Sequence, residues 1–134
     1  SRLAAQHPAK GIATTFVLID LKQPAQIQGY YALSAATIEL ERLTDADRKG
    51  LPDYPIPAVR IGRLAGSLVA RGQGVGALLL QNAIKRILLA RGTLGVYAVV
   101  VEAKDDPVEA FYRKYGFRRS DSQSRQLYLP LGAG

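Results

Sequence analysis

A chain of 134 residues with 48% hydrophobic residues is long enough to bury one core, so residues 1–134 are expected to form a single domain. It has no cysteine and one histidine, His7, which argues against disulfides, a cysteine nucleophile and a zinc site, so no metal is expected. Eighteen Lys and Arg against eleven Asp and Glu leave a net charge of +7, which fits either simple solubility or a polyanionic partner.

Thr14 to Asp20, rich in β-branched and aromatic residues, reads as a strand, and Lys22 to Ala25 as its turn. Gln26 to Leu40 reads as a second, antiparallel strand with a kink or bulge at Gly29. Glu41 to Gly50 holds a short helix capped by Thr44. Leu51 to Pro57 contains three prolines and is expected to be an extended connector rather than helix interior or central strand. Ala58 to Gly66 is the next strand. Val75 to Ala90 reads as an amphipathic helix, with Leu79, Leu80, Ala83, Ile84, Ile87 and Leu88 inward and Gln81, Asn82, Lys85 and Arg86 outward. Arg91-Gly92 is expected to end it. The apolar run Val96 to Val101 suits a parallel strand buried on both faces. A shorter helix follows from Pro107 to Tyr115, capped by Asp105 or Asp106 and stopped by Gly116. Two short strands, near Phe117 and from Leu127 to Leu131, close the chain. No apolar run approaches the roughly 20 residues that span a bilayer, and Ser1 to Ala5 has no signal-peptide core. No membrane partner is expected, and a cytoplasmic location is.

The segment between strand and helix carries the chemistry. Gly72, Gly74 and Gly76 allow the backbone to approach a ligand, and the helix start behind them offers unpaired N–H groups and a positive dipole end. That arrangement suits a phosphate, and Arg71 adds a full charge. A Walker A loop fails, because Ala77-Leu78 stand where Lys and Ser or Thr are required. A dinucleotide fingerprint fits formally as Gly72-x-Gly74-x-x-Ala77, but the turn lies mid-chain and the next acid is Glu102. A turn that binds nothing is the remaining alternative.

Arg71-Gly72-Gln73-Gly74-Val75-Gly76 also fits Q/R-x-x-G-x-G/A, the pyrophosphate loop of acetyl-CoA-dependent acyltransferases. With the hairpin before it, the apolar strand after it and Ala110-Phe111-Tyr112-Arg113-Lys114-Tyr115-Gly116-Phe117 beyond, the chain resembles the GNAT superfamily. The resemblance implies an α+β fold: a mixed central sheet, an antiparallel N-terminal hairpin and a parallel βαβ cofactor unit. Pro52 to Pro57, followed by Ile61-Gly62-Arg63-Leu64-Ala65, looks like the GNAT toxins of bacterial type II toxin–antitoxin modules, the TacT and AtaT kind. Members usually carry about one further strand and helix before this start. Methionine is absent even at position 1, so the N-terminus is expected to be shortened, by processing or because the chain begins inside its gene.

The resemblance implies acetyl-CoA as co-substrate and the α-amino group of an aminoacyl-tRNA as acceptor, whose acetylation blocks translation. It places the cofactor on Leu64, Ala65, Gly66, Arg71, Gly72, Gln73, Gly74, Val75, Gly76 and Ala77, with pantetheine along the first three. Tyr112, directly after Phe111, is implied as the acid that protonates the leaving thiolate; Tyr115 is the alternative phenol. Glu102 is a candidate base or water-holder, or a plain surface carboxylate. Arg60, Arg63, Arg113, Lys114, Arg118 and Arg119 are candidates for RNA contact, with Arg125 beside them, or form a solvated basic face. The family further implies a ribbon-helix-helix antitoxin and frequent homodimerisation. An acetyltransferase of a small amine, peptide or protein N-terminus stays open, as does a non-catalytic basic binding module.

Overall fold

The computed structural model describes residues 2–7, 13–52, 55–66, 74–119 and 124–132, with 2–7, 23, 24, 63, 65 and 66 by backbone alone. The strands are β1 (Arg2–His7), β2 (Thr14–Asp20), β3 (Gln23–Ile38), β4 (Ile56–Gly66), β5 (Ala98–Glu102) and β6 (Gln126–Pro130). The helices are α1 (Asp45–Arg48), α2 (Val75–Leu94) and α3 (Asp106–Lys114), with a 3-10 turn at Leu40–Arg42. Strands hydrogen-bond in chain order within one mixed sheet. β1–β2, β2–β3 and β5–β6 are antiparallel, and β4–β5, joined through α2, is parallel. This is the hairpin followed by a βαβ unit that the sequence implies. The strand at Arg2–His7 is an addition that the sequence reading did not name. Packing divides the chain into two compact units, 1–34 with 61–86 and 35–60 with 87–134.

In the first unit, β1 pairs with β2 from Arg2↔Asp20 to His7↔Thr15. The turn after β2 is tighter than expected, because Asp20 Oδ1 accepts a hydrogen bond from the Lys22 N–H at 3.0 Å. β3 therefore begins at Gln23. The bulge expected at Gly29 falls one residue earlier. Leu18 pairs with Gly29 and Ile19 with Ile27, leaving Gln28 as the extra residue. Its Oε1 is buried with no hydrogen-bond partner among the described residues. Phe16 lies opposite Tyr31, their rings stacked at 5.3 Å.

Val75, Leu79, Leu80 and Ala83 form the buried stripe of α2 in this unit. Asn82 and Arg86 do not face away from it. The Tyr31 hydroxyl donates to Asn82 Oδ1, Arg86 Nε donates to the Tyr31 oxygen at 3.0 Å, and the guanidinium stands 4.0 Å over the Phe16 ring. Helical geometry explains the correction: positions 79, 82, 83 and 86 share one face whatever their polarity. An arginine lays its apolar stem along a ring and reaches a polar atom with its head.

In the second unit, β5 is buried on both faces, with Ala98, Val99, Val100 and Val101 at 0% exposure. It pairs with β4 from Ala58↔Ala98 to Arg60↔Val100, and with β6 from Ala98↔Pro130 to Glu102↔Gln126. Ile38, Leu43, Ala58, Ala98, Val100 and Tyr128 make one buried cluster. Pro57, expected in the connector, is the second residue of β4. A proline is tolerated there because it occupies the start of the strand, and its carbonyl still accepts from the Tyr97 N–H at 2.9 Å. Helix α2 runs past Gly92 and stops at Gly95, whose φ of +65° is the left-handed conformation that ends helices. Leu88, expected inward, is 41% exposed, and Leu89 79%. The strand expected near Phe117 is a single bridge, Arg118↔Tyr128.

Candidate functional site

The cofactor candidates belong to the first unit. Arg71, Gly72 and Gln73 lie outside the described residues. Gly74 has φ +74°, a conformation that favours glycine, and no atom of the described residues stands within 4 Å of where a Cβ would project. Its carbonyl accepts from the Leu78 N–H at 3.1 Å, so α2 starts directly behind it. Val75 is buried and anchors that start, with Gly76 and Ala77 half-buried beside it. The first turn of α2 carries no acidic residue. The opening N–H groups of a helix lack intrahelical acceptors and carry its positive dipole end, so this turn fits a phosphate or pyrophosphate group. Leu64 is half-buried on β4, and Ala65 and Gly66 continue that strand, described by their backbone.

The acid candidate belongs to the second unit. Asp105 caps α3 by accepting from the Val108 N–H at 3.0 Å, Pro107 occupies its first turn, and Arg113 and Lys114 occupy its last. That choice between Asp105 and Asp106, open in the sequence, falls to Asp105. Tyr112 is the buried residue of this helix. Its ring meets Phe111 edge-on and Phe117 at a tilt, both at 5.3 Å. Burial raises its pKa above the ordinary tyrosine value of 10.0. Its hydroxyl has no hydrogen-bond partner among the described residues. A protonated phenol on a fixed ring, with a donor to spare, suits an acid that waits for a leaving group. Tyr115, the alternative, packs on Phe111 at 5.3 Å with Lys114 Nζ 6.0 Å from its ring centre.

The basic candidates separate by their partners. Arg60 NH1 lies 3.7 Å from Glu102 Oε1, whose side chain is 71% exposed. Arg118 NH1 makes contacts of 2.6 and 2.7 Å to both oxygens of Asp47. Asp47 also accepts from the Tyr128 hydroxyl at 2.6 Å, and its backbone carbonyl accepts from the Tyr97 hydroxyl at 3.2 Å. Burial acts to raise the Asp47 pKa, but the hydrogen bonds from Tyr128, Arg118 and Thr44 and the charge of Arg118 outweigh it and hold the carboxyl below its ordinary value. Arg113 and Arg119, with Arg125, converge on Glu109, while Lys114 is exposed. The Arg63 side chain lies outside the described residues. Asp47 and Glu109 are the residues that sequence reasoning missed. Glu109–Arg113 was legible as an i, i+4 pair; Asp47–Arg118, 71 positions apart, had no local signal.

Among the described residues no group of His, Cys, Asp and Glu could hold a metal ion, and no helix is long and apolar enough to cross a membrane. The GNAT acetyltransferase domain model matches residues 13–119. A tRNA-acetylating toxin of Mycobacterium tuberculosis is 32% identical over 104 residues, which are 78% of this chain and 62% of that protein. The chain spans about six tenths of the length of the curated relatives it matches. The solved structure of AtaT complexed with acetyl-methionyl-tRNAfMet aligns with a TM-score of 0.82 at 29% identity, over 89% of this chain and 71% of that one. A mutant AtaT toxin bound to acetyl-CoA and the C-terminus of the antitoxin AtaR aligns with a TM-score of 0.69 at 27% identity, over 89% and 67%. The matched span holds the β2–β3 hairpin, α2, β5 and α3, and the chain belongs to the GNAT acetyltransferase domain family.

Proposed function

We propose that this chain is an acetyl-CoA-dependent N-acetyltransferase that acetylates the α-amino group of an aminoacyl-tRNA and so blocks translation, and that residues 1–134 act as one domain. Tyr112 carries the reading: a buried ring with a raised pKa and a hydroxyl that has no partner among the described residues, a phenol suited to protonate a leaving thiolate. The relatives support it, since one is a tRNA-acetylating toxin and another is solved with acetyl-methionyl-tRNAfMet. The net charge of +7 suits a polyphosphate acceptor.

Acetyl-CoA supplies an acetyl group activated as a thioester. Arg71 to Ala77 hold its pyrophosphate against the start of α2, and the backbone of Leu64, Ala65 and Gly66 lines its pantetheine. A backbone N–H near Ala65 stabilises negative charge on the carbonyl oxygen as the amine adds. The C–N bond forms, the C–S bond breaks, Tyr112 gives its proton to the sulfur, and the proton that the amine loses to water restores the phenol. An α-amino group has a pKa of about 7.7–8.0, so a useful fraction is neutral without a dedicated base, and Glu102 is not required. Arg60, Arg63, Arg113, Lys114 and Arg119 contact RNA in this reading. Partners are an antitoxin with a ribbon-helix-helix part and a second copy of the chain, and the setting is the cytoplasm.

Tyr112→Phe tests the assignment. It is expected to keep acetyl-CoA binding and to lose about 10²–10⁴-fold in turnover on charged tRNA. Unchanged turnover contradicts it, and Tyr115→Phe then becomes the variant to measure.

A further inference from the structure

Glu109 stands at the centre of three arginines. Its Oε2 accepts from Arg113 Nε at 2.8 Å, one helical turn further on. Its Oε1 accepts from Arg119 NH1 at 3.0 Å and lies 3.7 Å from Arg125 NH1. Arg125 NH2 also meets Asp106 Oδ1 at 2.9 Å. The carboxylate is the covered member: its side chain is 12% exposed, against 51% for Arg113, 26% for Arg119 and 44% for Arg125. A guanidinium carries five N–H donors in a rigid fork. Arg113 uses its Nε–H on Glu109, and Arg119 one terminal nitrogen, leaving their other donors without a partner among the described residues.

We propose that Glu109 is a positioning residue that gathers Arg113, Arg119 and Arg125 into one phosphate-binding cluster for the RNA backbone, an inference that rests on the aminoacyl-tRNA reading. Three cations brought this close repel one another and disperse unless an anion holds them. Glu109 supplies that anion from beneath and leaves the outward donors for a ligand. A phosphate matches those donors, because guanidinium groups bind its oxygens in pairs through charge-assisted hydrogen bonds. An acidic protein segment is the competing polyanion, and RNA is favoured because phosphate contacts supply much of the affinity for nucleic acid.

The sign of one substitution separates positioning from simple charge. E109Q removes a negative charge from a basic surface, so a field argument alone predicts tighter RNA binding. Positioning predicts the reverse, because the released arginines must be ordered again at binding.

Uncharged tRNA is titrated against the full chain and E109Q over a salt series, with acetyl-CoA binding and thermal melting as checks on folding. The Kd of E109Q is expected to rise roughly tenfold, the ordering cost of one or two long side chains. R113A and R119A are each expected to flatten the slope of log K against log salt by about one. E41Q, which removes an exposed acid elsewhere, is expected to move binding in the tighter direction. Should E109Q fail to fold, R113K keeps the charge, loses the Nε contact and is expected to weaken binding. Unchanged or tighter tRNA binding by E109Q overturns the proposal; so does a loss seen with polyglutamate but not with tRNA, which assigns the cluster to an acidic protein. Wild-type chain that binds tRNA in a Glu109-dependent way without acetylating it strikes the functional reading alone. Transfer that stays intact in E109Q strikes this inference alone.

Discussion

Two ionisable residues, Tyr112 and Asp47, show how position sets chemistry. Burial raises the Tyr112 pKa above 10.0, so its phenol keeps its proton throughout the neutral range. If Tyr112 is the acid, the alkaline limb of the pH–rate profile should lie above pH 10; a limb near 8 that persists in Tyr112→Phe belongs to another group. Asp47 works in the opposite direction. Its pKa is depressed in the folded chain, so the stability it contributes is present above the ordinary value of 3.8 and is lost as pH falls through the lower folded value. Asp47→Asn is expected to cost about 1–2 kcal/mol at pH 7, allowing for the exposure of Arg118, and to remove part of the acid-induced loss, read by denaturant melts at pH 7 and pH 3. Arg118 is tied to Asp47 at 2.6 Å, so Arg118→Ala is expected to lower stability more than it weakens tRNA binding. The sequence grouped Arg118 with the basic residues around α3, and its pairing with Asp47, 71 positions away, left no local signal.

Helix α2 and strand β3 mark the limit of pattern reading at the element scale. Runs that are periodic and apolar were legible: β2, β5 and α3 fall within about two residues of their expected bounds, because alternation, β-branching and an Asp–Pro start leave few options. The inner face of α2 was not. Sorting by polarity sent Asn82 and Arg86 outward, whereas angular position and the Tyr31 hydroxyl hold them inward. Leu89 shows the converse, an apolar residue that is 79% exposed. Leu80→Ala, at 0% exposure, is expected to destabilise the chain by about 2–5 kcal/mol, while Leu89→Ala stays within about 0.5 kcal/mol. Similar losses in both variants, measured by urea unfolding, contradict this packing. β1 has no local signal, because Arg2 to His7 has only a short apolar stretch, and its pairing with β2 depends on tertiary contact rather than local pattern.

For the whole molecule, family and fold were legible in one glycine turn and one Phe-Tyr helix, since backbone access and a phenol at fixed spacing leave a trace in sequence. The division of the basic residues was not, because Asp47 and Glu109 take up arginines through contacts that sequence spacing reveals only for Arg113. The proposed RNA contacts Arg113, Lys114 and Arg119 lie on or just after α3, and Arg118 beside them is paired with Asp47. Acetyl transfer to charged tRNA should therefore weaken steeply between low and physiological salt, more steeply than acetyl-CoA binding does. The decisive measurement incubates the chain with acetyl-labelled acetyl-CoA and a mixture of charged and deacylated tRNAs, then follows the label. Acetylation of aminoacyl-tRNA by this chain predicts label on the aminoacyl-tRNA fraction, none on deacylated tRNA, and loss of transfer in Tyr112→Phe. Label on free amines or peptides with none on charged tRNA contradicts it.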